Sequence, residues 1–258
     1  MRRIFIPGTL TDPLTIQGDD AHHLLYSLRA KKGDRLTLVD GQNTIALMEL
    51  TGFTRDSVTM RVVKRLEANT ESPIRLVLAA CLTKGEKFDF VVQKAVELGA
   101  AAIQPIASRN CVVRYEEKKA AAKEKRWQKI AGEAAKQCGR TLLPRVYPIR
   151  PLTDWLRENQ QHWRGTETSA PDGALYFCYE NENEKPIRQA LQEQPEDLRT
   201  YVALIGPEGG FTLDEAAAIE AAGGTSVTLG PRILRAETAA LAALSILQYE
   251  KGDLGTTV

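Results

Sequence analysis

The sequence predicts two folds in one chain: a small β-domain over residues 1–70 and an α/β domain with a mostly parallel sheet over residues 74–258. Three observations carry this. Over the first seventy residues, Val, Ile, Thr and Leu alternate with polar residues, the period of half-buried strands. After Ile74 the apolar runs become continuous, as in strands buried on both faces, and helical patterns separate them. Two of the later runs break at Gly-Pro, where a strand must hand the chain to a turn. With 258 residues, 43% of them hydrophobic, there is apolar surface for two cores.

In the first part, RRIFI, RLTLVD, TIALMELTGF and SVTMRVVKRL read as strands. Gly33-Asp34, Asp40-Gly41 and Arg55-Asp56-Ser57 supply the turns, and His22 to Ala30 is the one helical stretch. A small β-barrel or sandwich follows. The polar stretch from Glu67 to Pro73 lacks periodicity and ends in proline, so the domain boundary is placed there. Beyond it, IRLVLAACL is a doubly buried strand, and residues 86–98 are helical, with apolar positions at 88, 91, 92, 95, 96 and 98, stopped by Gly99. AAIQPIA is a strand. Residues 116–138 form one long polar helix ending at Gly139. Residues 174–179, 200–205 and 225–230 are further strands, each followed by a helical pattern.

Composition narrows the function classes. No basic stretch followed by an apolar one opens the chain, and Ala239 to Leu247 is too short to span a bilayer, so a soluble cytoplasmic protein is expected. Cys81, Cys111, Cys138 and Cys178 show no zinc-type spacing and read as reduced, mostly buried thiols. Three histidines without metal-type spacing argue against a metal enzyme. The net charge is only +1, but it is unevenly spread. Residues 84–150 carry fifteen Lys and Arg against seven Asp and Glu, whereas residues 151–225 carry five against fourteen. The basic part is either a nucleic-acid surface or, over residues 118–129, the solvated face of a helix.

The stretch YVALIGPEGGFTLDE, residues 201–215, poses the functional question. Gly206, Gly209 and Gly210 lack Cβ atoms, so a ligand can approach the main chain closely; the alternative is an ordinary βα loop. Thr212 and Glu215 form a capping box for the next helix. LGPRILRAETAAL, residues 229–241, repeats the arrangement, with a helix starting near Glu237. Two neighbouring buried strands are thus expected to end in Gly-Pro turns on one carboxyl edge, where open α/β sheets bind ligands. Neither GxxxxGK[ST] nor an early GxGxxG is present, and Glu208 inside GPEGG would repel phosphate. A cationic nucleoside such as S-adenosylmethionine suits such a turn better.

IGPEGGFT, LGPRILRAETA, KGEKFDFVVQKAVELG (84–99) and RWQKIAGEAAKQCGR (126–140) together resemble the 16S ribosomal RNA (uracil-N3) methyltransferases of the RsmE type, in the SPOUT class. RRIF and HHLLYSLRAKKGD also fit, so the resemblance runs nearly end to end. It implies a PUA-like N-terminal barrel (1–70) and a trefoil-knotted α/β methyltransferase domain (74–258). It implies S-adenosylmethionine as cofactor, wrapped by the two Gly-Pro loops, and 16S ribosomal RNA or an assembled small ribosomal subunit as partner. It also implies a homodimer, for which residues 239–249 can supply the interface, unless that helix packs within its own chain.

On this resemblance the cofactor contacts are Leu204, Gly206, Glu208, Gly209, Leu229, Gly230, Ile233, Leu234 and Thr238. Glu208 has an alternative reading as a solvent-exposed turn carboxylate. Methylation at N3 needs the uracil anion stabilised, so Arg232 and Arg235 are the candidate guanidinium groups and Glu237 the candidate proton acceptor. A structural Arg235–Glu237 ion pair is the alternative. RNA contacts are expected from Arg3, His22, Arg29 and Arg35 in the first domain and from Lys84, Lys87, Arg109, Arg114 and Arg140 in the second. Trp127 and Trp155 read as packing residues. A knotted methyltransferase acting on transfer RNA and a non-catalytic RNA-binding assembly factor are the competing readings.

Overall fold

The computed structural model describes residues 3–6, 8–67, 70–165, 169–182 and 184–256. Arg2 in the first predicted strand and residues 68–69 in the predicted boundary lie outside these. The chain divides into two units, one formed by residues 1–71 with 135–143, the other by 72–134 with 144–258.

The first unit holds β1 (Arg3–Phe5), β2 (Leu14–Gln17), α1 (Gly18–His22), β3 (Arg35–Val39), β4 (Ile45–Phe53) and β5 (Ser57–Leu66). They form one five-stranded sheet in the order β1-β3-β4-β5-β2, antiparallel except for the β1–β3 pair. The period-two pattern is realised most clearly in β2, whose Leu14 and Ile16 are buried while Thr15 and Gln17 face outward. Leu38, Met48, Leu50, Val58 and Met60 complete the core. The helical stretch begins at Gly18, four residues before the expected start, and continues as a π-helical turn over His23–Ser27. Asp19 and Asp20 occupy its first turn, where carboxylates favour a helix start.

Residues 135–143 join this unit through a buried ion pair. The Arg140 guanidinium donates to Glu71 Oε2 at 2.6 Å, and the side chains are only 6% and 10% exposed. The other oxygen, Glu71 Oε1, accepts from the backbone N–H groups of Thr141 (2.7 Å) and Leu142 (3.0 Å). Burial alone would raise the Glu71 carboxyl; the Arg140 hydrogen bond and the Leu142 and Thr141 N–H groups outweigh it and hold it below its ordinary value. Arg3 donates to the Gly139 carbonyl and to Thr70 Oγ1. Arg140, expected as an RNA contact, is therefore an internal structural cation.

The second unit holds β6 (Arg75–Cys81), α2 (Lys87–Glu97), β7 (Ala102–Ala107), α3 (Glu117–Cys138, whose last turn counts with the first unit), β8 (Arg145–Val146), β9 (Arg150–Pro151), α4 (Leu152–Arg164), β10 (Gly173–Cys178), α5 (Ile187–Gln192), β11 (Thr200–Ile205), α6 (Leu213–Ala221), β12 (Gly224–Val227) and α7 (Ala236–Lys251). The sheet order is β12-β10-β11-β6-β7-β8, with β9 also on β7, and every one of these pairings is parallel. The strand order differs from the sequence expectation at one point. β11 and β12 are not neighbours, because β10 pairs with both. β12 is consequently an edge strand, half-buried, and it ends at Val227 rather than at Gly230. The apolar pattern alone cannot reveal a strand inserted out of sequence order.

The predicted helix periodicity holds: Phe88, Val91, Val92, Ala95 and Val96 are the buried face of α2. Trp127 is 1% exposed, packs against Phe88 with the rings tilted and their centres 4.4 Å apart, and donates to Asp89 Oδ1 at 2.9 Å. Helix α7 buries Ala239, Ala240, Ala243, Leu244 and Leu247 inside the chain. Its fully buried Gln248 donates to the Leu98 carbonyl (2.9 Å) and accepts from Ser72 Oγ (2.8 Å). That fixes the helix whose first residues follow the second Gly-Pro loop. Among the described residues, no helix is long and apolar enough to cross a membrane.

Substituting Glu71→Ala removes the carboxylate that pairs with the buried Arg140 guanidinium, and denaturant unfolding should show a loss of about 3–5 kcal/mol. Because the folded Glu71 value is depressed, its contribution is complete above the ordinary value of 4.5 and is lost as pH falls through the folded value. The stability gap between wild type and Glu71→Gln should therefore narrow on acidification; a gap that widens contradicts the assignment.

Candidate functional site

Three strand ends meet at the carboxyl edge of the second sheet. β11 ends at Ile205 and leads into Gly206–Gly210; β12 ends at Val227 and leads into Thr228–Arg235; β10, between them, ends at Cys178 and leads into Tyr179 and Glu180. They enclose a cleft of about 580 Å³, within the range of small-molecule sites. Ile205, Val227, Leu229, Leu234 and Ala239 give it an apolar lining. Lys87, Glu180, Glu182, Glu208, Arg232 and Arg235 supply charges.

The glycines of the first loop have partners inside the protein. Gly210 has φ +69°, and a Cβ there would lie 1.8 Å from Glu180 Oε1. Both the left-handed backbone and the adjacent carboxylate demand glycine. A Cβ on Gly206 would press on the Phe211 ring at 3.2 Å, and one on Gly209 on Asn110 at 3.2 Å. Asn110 Nδ2 also donates to the carbonyls of Gly209 and Gly210, each at 3.1 Å. Side chains are missing here first of all because neighbouring protein groups occupy their space.

The capping box opens α6 as expected: Thr212 Oγ1 accepts from the Glu215 N–H, and Glu215 Oε2 accepts from the Thr212 N–H at 3.0 Å. Glu215 Oε1 accepts from the Arg109 N–H at 2.7 Å. The loop is thus tied at Asn110 and Arg109 to the turn after β7. It is tied again at Glu208, whose Oε1 accepts from the Lys84 N–H (3.3 Å) and from Lys87 Nζ (3.4 Å). Lys87 reaches Glu237 as well, at 3.8 Å, and so bridges the two loops. Glu237 Oε2 is buried and accepts no hydrogen bond from the described residues. The alternative Arg235–Glu237 ion pair is not formed among the described residues; Lys87 takes that place.

Of the candidate residues, Gly206, Glu208, Leu229, Gly230, Arg232, Ile233, Leu234 and Arg235 line the cleft. Leu204 does not: it is fully buried, and Ile205 lines the cleft instead. Gly209 faces Asn110, and Thr238 is exposed away from the lining. Glu237 approaches the site only through Lys87. Sequence reading missed Cys178, Tyr179, Glu180, Glu182 and Thr228. For the first four the signal is the end of the strand over residues 174–179, which belongs to the same edge; Thr228 follows β12 directly.

The basic candidates are dispersed. Lys84 and Lys87 stand beside Glu208. Arg109 pairs with Asp214 at 2.9 Å, and with Arg114 it lines a separate cleft of about 670 Å³. In the first unit, His22 is exposed and its ring lies tilted against Tyr26, centres 4.2 Å apart, Arg29 is exposed with φ 54°, and Arg35 pairs with Glu49 at 3.3 Å. Two cysteines that look isolated in sequence meet in the second unit. The Cys111 thiol is pulled down to about 6 by its hydrogen bond with Cys81, with burial opposing and Ser108 assisting. Among the described residues no group of His, Cys, Asp and Glu is arranged to hold a metal ion.

Comparison with known proteins agrees with this architecture. Residues 70–248 match the family described as RNA methyltransferase domain, and residues 16–63 that described as RNA methyltransferase PUA domain. The chain is 33% identical to the ribosomal RNA small subunit methyltransferase E of Bacillus subtilis, over 97% of each chain. It superposes with TM-score 0.81 on a ribosomal RNA small subunit methyltransferase E from Neisseria gonorrhoeae bound to S-adenosyl methionine, at 32% identity, covering 98% of this chain and 99% of that one. With a Legionella pneumophila protein in complex with the same cofactor the TM-score is 0.79, at 31% identity over 98% of each chain. An α/β RNA methyltransferase domain following a PUA-like domain, matched along nearly the whole length, makes the chain a member of the ribosomal RNA small subunit methyltransferase E family, in the SPOUT class.

Proposed function

We propose that this chain transfers the methyl group of S-adenosylmethionine to N3 of a uridine in 16S ribosomal RNA. The observation that carries the reading is the cleft at the carboxyl edge, formed by the three strand ends and lined by apolar side chains with charged groups at its border. The residues fit the cofactor. Leu229 and Leu234 can enclose an adenine ring, and the main chain of their loop, bare at Gly230, can approach its edge. When bound, S-adenosylmethionine supplies an electrophilic methyl carbon on a sulfonium.

The protein's part is to hold and charge-balance the base. Uracil N3 carries a proton near neutral pH, so the attacking form is an anion. Arg232 and Arg235 line the cleft and make no ion pair among the described residues. They are placed to stabilise negative charge on the uracil carbonyl oxygens. Glu237 is the candidate acceptor for the N3 proton; it stands behind the cleft lining, with Oε1 3.8 Å from Lys87 Nζ, so the proton would reach it through a bridging water rather than by direct contact with the base. Fixing base and cofactor together removes the entropy of their encounter, which is the larger contribution.

The domain limits 1–70 and 74–258 go with this reading, the first for RNA binding and the second for catalysis. So do a trefoil knot at the two Gly-Pro loops, a cytoplasmic site of action, where ribosomes assemble, and a homodimer. The buried face of α7 is used within the chain, so a dimer would rely on exposed groups such as Ile233 and Tyr249, 91% and 67% exposed.

Incubating the purified chain with 16S ribosomal RNA, or small subunits lacking the modification, and S-adenosylmethionine should add one methyl group to a single uridine, read by mass mapping. Methylation of transfer RNA instead, or of a different atom, contradicts the assignment. Arg235→Ala should cut turnover about a hundredfold or more while calorimetric cofactor affinity stays intact; near-normal turnover removes Arg235 from the mechanism. RNA affinity should fall steeply with salt, since basic side chains displace counterions from phosphates. A flat response between low and physiological salt contradicts the assigned role of the basic segment.

A further inference from the structure

Three carboxylates line the cleft, and they differ in what already holds them. Glu208 Oε1 accepts from the Lys84 N–H and from Lys87 Nζ. Glu182 Oε1 accepts from the backbone N–H groups of Glu184 (2.8 Å) and Lys185 (3.1 Å). Glu180 accepts no hydrogen bond and forms no ion pair with any described residue. Its carboxylate lies against the bare Cα of Gly210, where any Cβ would meet Oε1 at 1.8 Å. The loop that gives the site its shape therefore leaves room for this one free carboxylate.

Its place in the fold is central. Glu180 follows β10, the strand between the two whose loops flank the cleft. A ligand that reaches from the Gly206–Gly210 loop to the Thr228–Arg235 loop must pass its middle over the end of β10. In S-adenosylmethionine the middle is the sulfonium, with the adenosyl group on one side and the methionyl group on the other. Arg232 and Arg235 supply the unpaired positive charges of the lining, and Glu180 the negative charge that no protein donor satisfies.

We infer that Glu180 is the charge-selecting residue of the cofactor site: its carboxylate faces the sulfonium and makes the chain prefer S-adenosylmethionine to S-adenosylhomocysteine. This rests on the methyltransferase reading and adds a specificity residue to it. The two ligands share adenine, ribose, ammonium and carboxylate; they differ only in the methyl group on sulfur and the positive charge that comes with it. Once the methyl group has left, the sulfur is a neutral thioether, Glu180 loses its attraction, and the spent cofactor is released more readily.

The test is calorimetric titration of the purified full-length chain and of Glu180→Gln with each ligand, with melting of the unliganded proteins as the folding control. Glu180 is exposed, so the isosteric variant should melt as wild type does. S-adenosylmethionine should bind the variant about tenfold more weakly, with S-adenosylhomocysteine affinity changed less than about twofold, so that the preference collapses. An equal loss for both ligands would place Glu180 on the ribose or the ammonium and overturn the inference. So would no loss for either. If wild type binds neither ligand, the methyltransferase reading fails and this inference with it; if wild type binds both and only the preference is unmoved, the inference alone fails.

Discussion

Parallel pairing of β10 with β11 on one side and β12 on the other determines where every group of the cleft can stand. Phe177 pairs with Leu204 across one ladder and with Ser226 across the other, so the three carboxyl ends come out level with one another. Parallel strands buried beneath helices cannot slip by a residue without turning apolar side chains to the wrong face. The loops that leave these strands inherit that register. Helix α7, whose buried Gln248 is held by Leu98 and Ser72, fixes the far end of the second loop.

On this rigid edge the loops are shaped by polar contacts from outside themselves. Asn110 holds the carbonyls of Gly209 and Gly210, Glu215 joins its own helix start to the Arg109 N–H, and Lys87 bridges Glu208 and Glu237. Each is a modest interaction on its own, of about 1 kcal/mol for a typical net hydrogen bond. Their value is geometric. They hold the backbone open where a ligand fits, and they occupy most of the charged groups, which leaves Glu180, Arg232 and Arg235 to meet what binds.

Much of this was legible in the sequence, for identifiable reasons. The 3.6-residue pattern of α2, the capping box of α6 and the strand at 200–205 are local, and local chemistry wrote them: Phe88, Val91, Val92, Ala95 and Val96 face one way, and Thr212 lies three residues before Glu215. The Gly-Pro breaks pointed to the edge that carries the cleft. What the sequence did not disclose is long-range. Nothing local says that β10 lies between β11 and β12, and so Glu180 went unnoticed although it sits at the end of a predicted strand. Nothing local says that Arg140 finds Glu71, 69 residues away, and leaves the surface. Leu204 and Ile205 have the same character in sequence, and only the pleat decides that Ile205 reaches the cleft. The glycines were read as making way for a ligand, whereas Phe211, Asn110 and Glu180 are their immediate neighbours.

The central claim is that the cleft between the two Gly-Pro loops, over the end of β10, is the cofactor site. A crystal structure of this chain soaked or grown with S-adenosylmethionine tests it most directly. The account predicts the nucleoside between residues 206–210 and 228–235, with its sulfur beside Glu180. Density for it at any other place, such as the separate cleft beside Arg109 and Arg114, would contradict the account.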